Sequence, residues 1–115
     1  MVRNLFCKSV KNFVRLKFEN KVVLITGSGT GIGMTVAKKF VENGASVIIL
    51  GRRKEPLEST SEMLTKIINE KNSNGFVKIF SGVDVSDEKA ITEMFDTLKN
   101  EGVNVDIVVN NAGVS

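Results

Sequence analysis

The chain has 115 residues, 42% hydrophobic and 25% charged with a single proline, a composition that suits one small soluble globular domain. Its formal net charge of +3 is concentrated in Arg3, Lys8, Lys11, Arg15 and Lys17, all ahead of the first acid, Glu19, so the rest carries no basic field and nucleic acid is excluded as a partner. Without His, Tyr or Trp, and with Cys7 as the only cysteine, zinc chemistry, a catalytic triad and an internal disulfide are excluded, and no apolar run approaches the roughly 18 residues of a membrane-spanning helix.

Residues 1–17 stand apart from the rest. Wound as a helix, they place Val2, Leu5, Phe6, Val10, Phe13 and Leu16 on one side and Lys8, Lys11 and Arg15 on the other. Such a basic amphipathic extension could pack on the domain or fray, could act as a mitochondrial transit segment, or could lie on an anionic membrane surface. The lone cysteine agrees with a reducing compartment, so a cytoplasmic location is expected, with the mitochondrion as the alternative. Residues 18–115 form the domain proper.

From Lys21 onward the apolar period switches back and forth, as it does where strands alternate with helices. Val22 to Ile25 is the first strand. After a glycine-rich turn, Gly33, Val36, Ala37, Phe40 and Val41 recur at helical spacing, and Gly44 stands where a helix-ending glycine belongs. A second strand runs from Ser46 to Leu50. Pro56 suits the first turn of a longer helix whose stripe is Leu57, Leu64, Ile67 and Ile68, followed by a loop over Asn72 to Gly75. Phe76 to Phe80 reads as the third strand. Ser86 is the expected cap of a helix with Asp87 and Glu88 at its positive end and Ile91, Met94, Phe95 and Leu98 on its buried face. Gly102 ends that helix, and Val105 to Val109 reads as a fourth strand covered on both faces. Right-handed crossovers give the strand order 3-2-1-4, an α/β class: a partial Rossmann, doubly wound parallel sheet of about four strands with three helices.

The turn Thr26-Gly27-Ser28-Gly29-Thr30-Gly31-Ile32-Gly33 lies between the first strand and the first helix, where a dinucleotide pyrophosphate docks. Gly27 lets the chain leave the strand tightly, Gly31 lets backbone N–H groups approach the phosphates, and Gly33 lets the helix close on the sheet. Ser28 and Thr30 can add hydroxyl donors. With Ile32 between the last two glycines, the spacing is T-G-x-x-x-G-x-G rather than G-x-G-x-x-G.

This turn, with Asp84-Val85 after the third strand and Asn110-Asn111-Ala112-Gly113 after the fourth, resembles the short-chain dehydrogenase/reductase family from about Phe18 to the last residue. The resemblance implies an oxidoreductase that uses a nicotinamide dinucleotide. It implies that Asp84 faces the adenine amino group, with Val85 beside the ring. Asn110 would lie near the adenosine ribose, Asn111 would tie neighbouring strands together, and Ala112 and Gly113 would leave room for the cofactor. The alternative for Asp84 is a strand-end carboxylate that accepts backbone bonds from its own loop.

NAD selectivity in such sheets usually rests on an acid at the end of the second strand, where this chain has Gly51. Arg52 and Arg53 follow and can pair with a 2′-phosphate, so NADP is the expected cofactor. Thr30, where NADP users of the family often carry a basic residue inside the glycine turn, keeps NAD as the alternative.

The family's working Asn, Ser, Tyr and Lys follow the Asn-Asn-Ala-Gly segment, and no residue of this chain is expected to be catalytic or to bind metal. The chain is therefore expected to be a fragment, inactive alone, of an enzyme that moves hydride between NADP(H) and a carbonyl or alcohol substrate. The rival expectation is a short non-catalytic product that binds nucleotide or a partner chain. In either case Val105 to Val109 is expected to form an exposed apolar edge through which the chain self-associates.

Overall fold

The computed structural model describes residues 17–27 and 31–111. In chain order these form β1 (Val22–Thr26), α1 (Gly31–Glu42), β2 (Ser46–Gly51), α2 (Lys54–Lys71), β3 (Val77–Ser81), α3 (Glu88–Asn100) and β4 (Ile107–Val109). The strands make one parallel sheet in the order β3-β2-β1-β4, with three helices among the described residues. The sheet is the partial doubly wound arrangement expected from the alternating periods. No helix of the described residues is long and apolar enough to cross a membrane.

Strand pleating divides the core into two layers, because successive side chains point to opposite faces. Val23 and Ile25 of β1 and Val47 and Ile49 of β2 join Ala37 and Val41 of α1 and Leu57, Leu64 and Ile68 of α2 in one buried cluster. Leu24, Ile48 and Leu50 point the other way, onto Met94 and Leu98 of α3. β1 and β2 are therefore covered on both sides, which explains their unbroken apolar runs. Val108 pairs in register with Leu24 and so shares the α3 face, but it is 59% exposed. α3 does not reach far enough across the sheet to cover β4.

β4 is shorter than the sequence suggests, for a specific reason. Asp106 donates its N–H to the Val22 carbonyl at 2.9 Å, and its Oδ2 accepts the Val22 N–H at 2.8 Å. That side-chain bond replaces a ladder bond at the entrance to the β1–β4 pair, and Val105 packs among the α3-side residues ahead of the strand. β3 likewise begins one residue later than expected. Phe76 gives its N–H to Ser46 Oγ at 3.0 Å, and only its carbonyl joins the ladder, accepting the Val47 N–H at 2.9 Å.

The helix ends carry two corrections. α3 is capped by Asp87, whose Oδ1 accepts from the N–H groups of Lys89 and Ala90 at 3.1 and 3.2 Å. Ser86 is not the cap, because its N–H and hydroxyl are both given to Asp84. Phe95, expected on the buried face of α3, is exposed, while Ile91 is partly buried beside Met94 and Leu98. After α2, Asn72 is a left-handed cap (φ 57°, ψ 34°) and Ser73 N–H returns to the Ile68 carbonyl at 3.1 Å, so the loop from Asn72 starts as a helix-closing motif. Phe18 packs edge-on against Phe40, with ring centroids 5.2 Å apart, which fixes the chain just ahead of β1 to α1.

Candidate functional site

In an open parallel sheet the carboxyl ends of the strands leave a crevice where the connections diverge, and here that end carries nearly every residue singled out from the sequence. Gly27 follows β1 with φ 62°, and Gly31 opens α1 with φ 57°, both in the left-handed region that favours glycine. A Cβ added at Gly31 would meet no atom within 4 Å, so open space lies over the start of α1. The first N–H groups of a helix have no acceptor within it and are available as donors to a ligand. Ile32 in this first turn is 64% exposed, whereas Gly33 is buried. Ser28, Thr30, Ala112 and Gly113 lie outside the described residues, as does most of the 1–17 extension.

Two hollows lie side by side across the ends of β1, β2 and β3, sharing Gly27, Leu50, Gly51 and Arg52. One, of about 190 Å³, is completed by Arg53, Pro56 and Leu57 at the start of α2. The other, of about 260 Å³, is completed by Val83, Asp84 and Val85 after β3. Arg52 therefore stands on the divide between them. The loop that carries Asp84 is drawn over β2 because the β2–β3 register ends with Gly51 opposite Ser81, and Val83 N–H then bonds the Gly51 carbonyl at 3.1 Å.

Asp84 is the best-anchored charge of this mouth. Its Oδ1 accepts the Ser86 N–H at 2.9 Å and the Ser86 hydroxyl at 2.7 Å. Its Oδ2 lies 3.3 Å from Arg52 Nη2. The backbone and hydroxyl bonds from Ser86 hold the Asp84 carboxyl below the usual aspartate range; desolvation opposes them, and the Arg52 guanidinium adds the smallest contribution. The carboxylate is thus charged at neutral pH, half-exposed, and accepts bonds from its own loop. Both arginines are exposed, and among the described residues Arg53 makes no ion pair.

At the β1–β4 end, Thr26 Oγ1 donates to Asn110 Oδ1 at 3.2 Å and accepts the Asn111 N–H at 2.8 Å, and Asn111 Nδ2 donates to the Gly27 carbonyl at 3.3 Å. Asn111 thus ties the segment after β4 to the turn after β1. The structure joins Gly27, Gly51, Arg52, Arg53, Asp84 and Val85 around the paired hollows and sets Asn110 beside the same turn. Leu50, Pro56 and Leu57 were not singled out as site residues in the sequence, because their apolar type reads there only as core or helix start. Among the described residues no cluster of side chains could hold a metal ion.

The arrangement offers backbone donors at a helix start, two guanidinium groups beside an apolar hollow, and a fixed carboxylate beside a second. It can take an extended ligand with anionic groups at one part and a flat, hydrogen-bonding group at another.

The family model for short chain dehydrogenase matches residues 21–115. The chain is 39% identical over 103 residues to a 3alpha-hydroxysteroid dehydrogenase of Mediterraneibacter gnavus, with 90% of this chain and 38% of that protein covered. It is 38% identical over 101 residues to the NADP-dependent (R)-specific alcohol dehydrogenase of Lentilactobacillus kefiri, covering 86% of this chain and 36% of that protein. Among solved structures, the C-domain with NADP of a bacterial malonyl-CoA reductase superposes with a TM-score of 0.77 at 30% identity, over 90% of this chain and 16% of that one. The chain thus spans well under half the length of these relatives.

Proposed function

Because the chain belongs to the short chain dehydrogenase family, we propose that it is the dinucleotide-binding portion of an oxidoreductase whose complete form transfers hydride between NADP(H) and a carbonyl or alcohol substrate. Residues 18–115 are the cofactor-binding part in this reading. The observation that carries it is the pair of hollows divided by Arg52 at the carboxyl ends of β1, β2 and β3.

The residues present suit the cofactor. The open space over left-handed Gly31 leaves room for a pyrophosphate at the start of α1, joined in this reading by Ser28 and Thr30 of the turn. The hollow with Val83, Asp84 and Val85 takes the adenine, Asp84 accepting from its amino group. The hollow with Arg53, Pro56 and Leu57 takes the 2′-phosphate of the adenosine ribose. Asn110, Ala112 and Gly113 complete the cofactor wall beyond β4. When bound, the nicotinamide supplies or accepts the hydride. This chain orients the adenosine end, and having no tyrosine it contributes no phenolic proton donor.

NADP is favoured over NAD by Gly51, which leaves the end of β2 without a carboxylate, and by the arginines that follow. The NADP dependence of the Lentilactobacillus kefiri relative and the NADP in the malonyl-CoA reductase domain support this preference. The reading places the protein in the cytoplasm, with mitochondrial targeting by residues 1–17 as the alternative.

A second reading, a non-catalytic product that binds nucleotide or a partner, draws on β4. Among the described residues this strand pairs only with β1 and leaves Val108 exposed, an edge suited to self-association.

Affinity chromatography tests the principal reading. The chain should be retained on immobilised 2′,5′-ADP and released by NADP but not by the same concentration of NAD. Release by NAD alone would reverse the cofactor preference, and failure of a folded chain to bind either immobilised 2′,5′-ADP or 5′-AMP would refute dinucleotide binding.

A further inference from the structure

The two arginines after β2 are not equivalent in this structure. Arg53 lines only the hollow with Pro56 and Leu57, and its guanidinium has no ionic partner among the described residues. Arg52 lines both hollows and is engaged by a carboxylate: Nη2 lies 3.3 Å from Asp84 Oδ2. That carboxylate is held from behind, because Ser86 gives both its N–H and its hydroxyl to Oδ1 and leaves Oδ2 turned toward Arg52. The loop itself is anchored by the Val83 N–H on the Gly51 carbonyl, one residue before Arg52. Asp84 is thus a fixed anion placed next to one of two cations that would face a 2′-phosphate.

A phosphate entering this mouth meets Arg53 as a free guanidinium and Arg52 as one already paired. The Asp84 carboxylate also repels the phosphate, whereas a ribose 2′-hydroxyl is indifferent to it. We infer that Asp84, by holding Arg52, is a specificity-determining residue that moderates the preference for NADP over NAD and leaves Arg53 as the principal contact of the 2′-phosphate. This inference rests on the cofactor reading above and adds to it an unequal division of work between Arg52 and Arg53. Asp84 acts on the phosphate chiefly through Arg52, so its effect must shrink to the weaker direct repulsion when the Arg52 charge is gone.

Calorimetric titration of the full 115-residue chain with NADPH and with NADH tests this, reading the ratio of the two dissociation constants. Contacts of Asp84 with the adenine are common to both cofactors and cancel in that ratio. Asp84→Asn keeps an Oδ1 acceptor for Ser86 and should raise the preference for NADPH about two- to fivefold, the range of an exposed ion pair. The same substitution in an Arg52→Gln background should raise the ratio distinctly less. Arg53→Gln should lose about tenfold or more of the preference, and Arg52→Gln distinctly less. Arg52→Gln leaves the Asp84–Ser86 loop intact, so comparing it with Arg53→Gln decides the point even if Asp84→Asn does not fold. Both cofactors binding with an unchanged ratio in Asp84→Asn would overturn the inference while leaving the cofactor reading standing. So would an equal gain with and without Arg52, or a larger loss from Arg52→Gln than from Arg53→Gln. A folded wild-type chain that binds neither cofactor into the millimolar range would overturn the cofactor reading, and this inference with it.

Discussion

Substituting Gly51 by aspartate puts a carboxylate at the end of β2, beside both hollows, and on the proposed cofactor reading should turn the preference from a 2′-phosphate toward a 2′-hydroxyl. The position accepts a side chain: Gly51 does not need a left-handed backbone, and an added Cβ would meet only the Leu57 side chain at 3.7 Å, an ordinary contact. The carboxylate would stand close to Arg52 and Arg53, drawing their charge away from the ligand, and would repel the phosphate directly. Two unit charges about 5 Å apart interact by about 1–3 kcal/mol at effective dielectric constants between that of water and that of a protein surface. Gly51→Asp should therefore weaken NADPH binding by about five- to 150-fold, and NADH binding should hold or improve as the new acid accepts the ribose hydroxyl. Fluorescence titration with each cofactor measures both changes, and raising salt should shrink the NADPH loss because the repulsion is screened. Equal weakening of both cofactors would indicate a steric fault. An unchanged NADPH affinity would refute the assignment of the Arg53 hollow to the phosphate.

Three further outcomes follow from the packing and charges. Thr60 is buried in α2 and its hydroxyl has no hydrogen-bond partner among the described residues, so Thr60→Val, nearly isosteric and similar in helix propensity, should stabilise the chain by about 1 kcal/mol. The urea midpoint should rise at constant slope, with a thermal gain of about 4–8 °C, and a lowered midpoint would mean that the hydroxyl is bonded. Asp84 has a lowered pKa in the folded chain, so its contribution is present above the unfolded value near 4 and fades as pH falls through the lower folded value. The gap in urea midpoint between wild type and Asp84→Asn should accordingly narrow from pH 5 to pH 3, and a gap that stays constant would contradict the bonds from Ser86. Finally, Val108→Lys should convert a self-associating chain into a monomer on a sizing column at micromolar concentration, whereas a monomeric wild type would remove β4 as an association edge.

Much of the fold was legible because β1 and β2 are buried on both faces and so read as unbroken apolar runs, while the helices between them show the longer period. The misreadings fall where two residues of the same chemical type compete. Ser86 and Asp87 are equally good cap residues by type. Asp87 caps α3 because Asp84 has already taken both Ser86 donors, a choice made by a loop that no local rule describes. Phe95 follows Met94 by one residue, about 100° further round the helix, and a helix covering only part of a sheet has too narrow a buried stripe to include both. β4 is shortened by the Asp106 side chain, which imitates a backbone acceptor and cannot be distinguished in sequence from an ordinary strand-start acid.

The glycine turn was readable for the opposite reason: its constraints are local. Left-handed Gly27 and Gly31 are steric requirements of a chain that must turn between a strand and a helix, so residue type reports geometry directly. The Arg52–Asp84 pair has no such local signature, because it depends on which strands are neighbours and on their register. With Gly51 opposite Ser81, the residues just beyond each strand end cross the same gap; a slip of one residue would carry Asp84 to a different neighbour. Sequence therefore announces that two cations follow β2, but only the register shows that one is already engaged. That asymmetry bears on cofactor choice. Counting arginines treats Arg52 and Arg53 as a pair of phosphate ligands, while the structure makes the second the freer cation and the first a group shared between ligand and protein. On the proposed cofactor reading, a strand-end acid would influence 2′-phosphate recognition from the β3 loop as well as from the end of β2, provided an arginine lies between them.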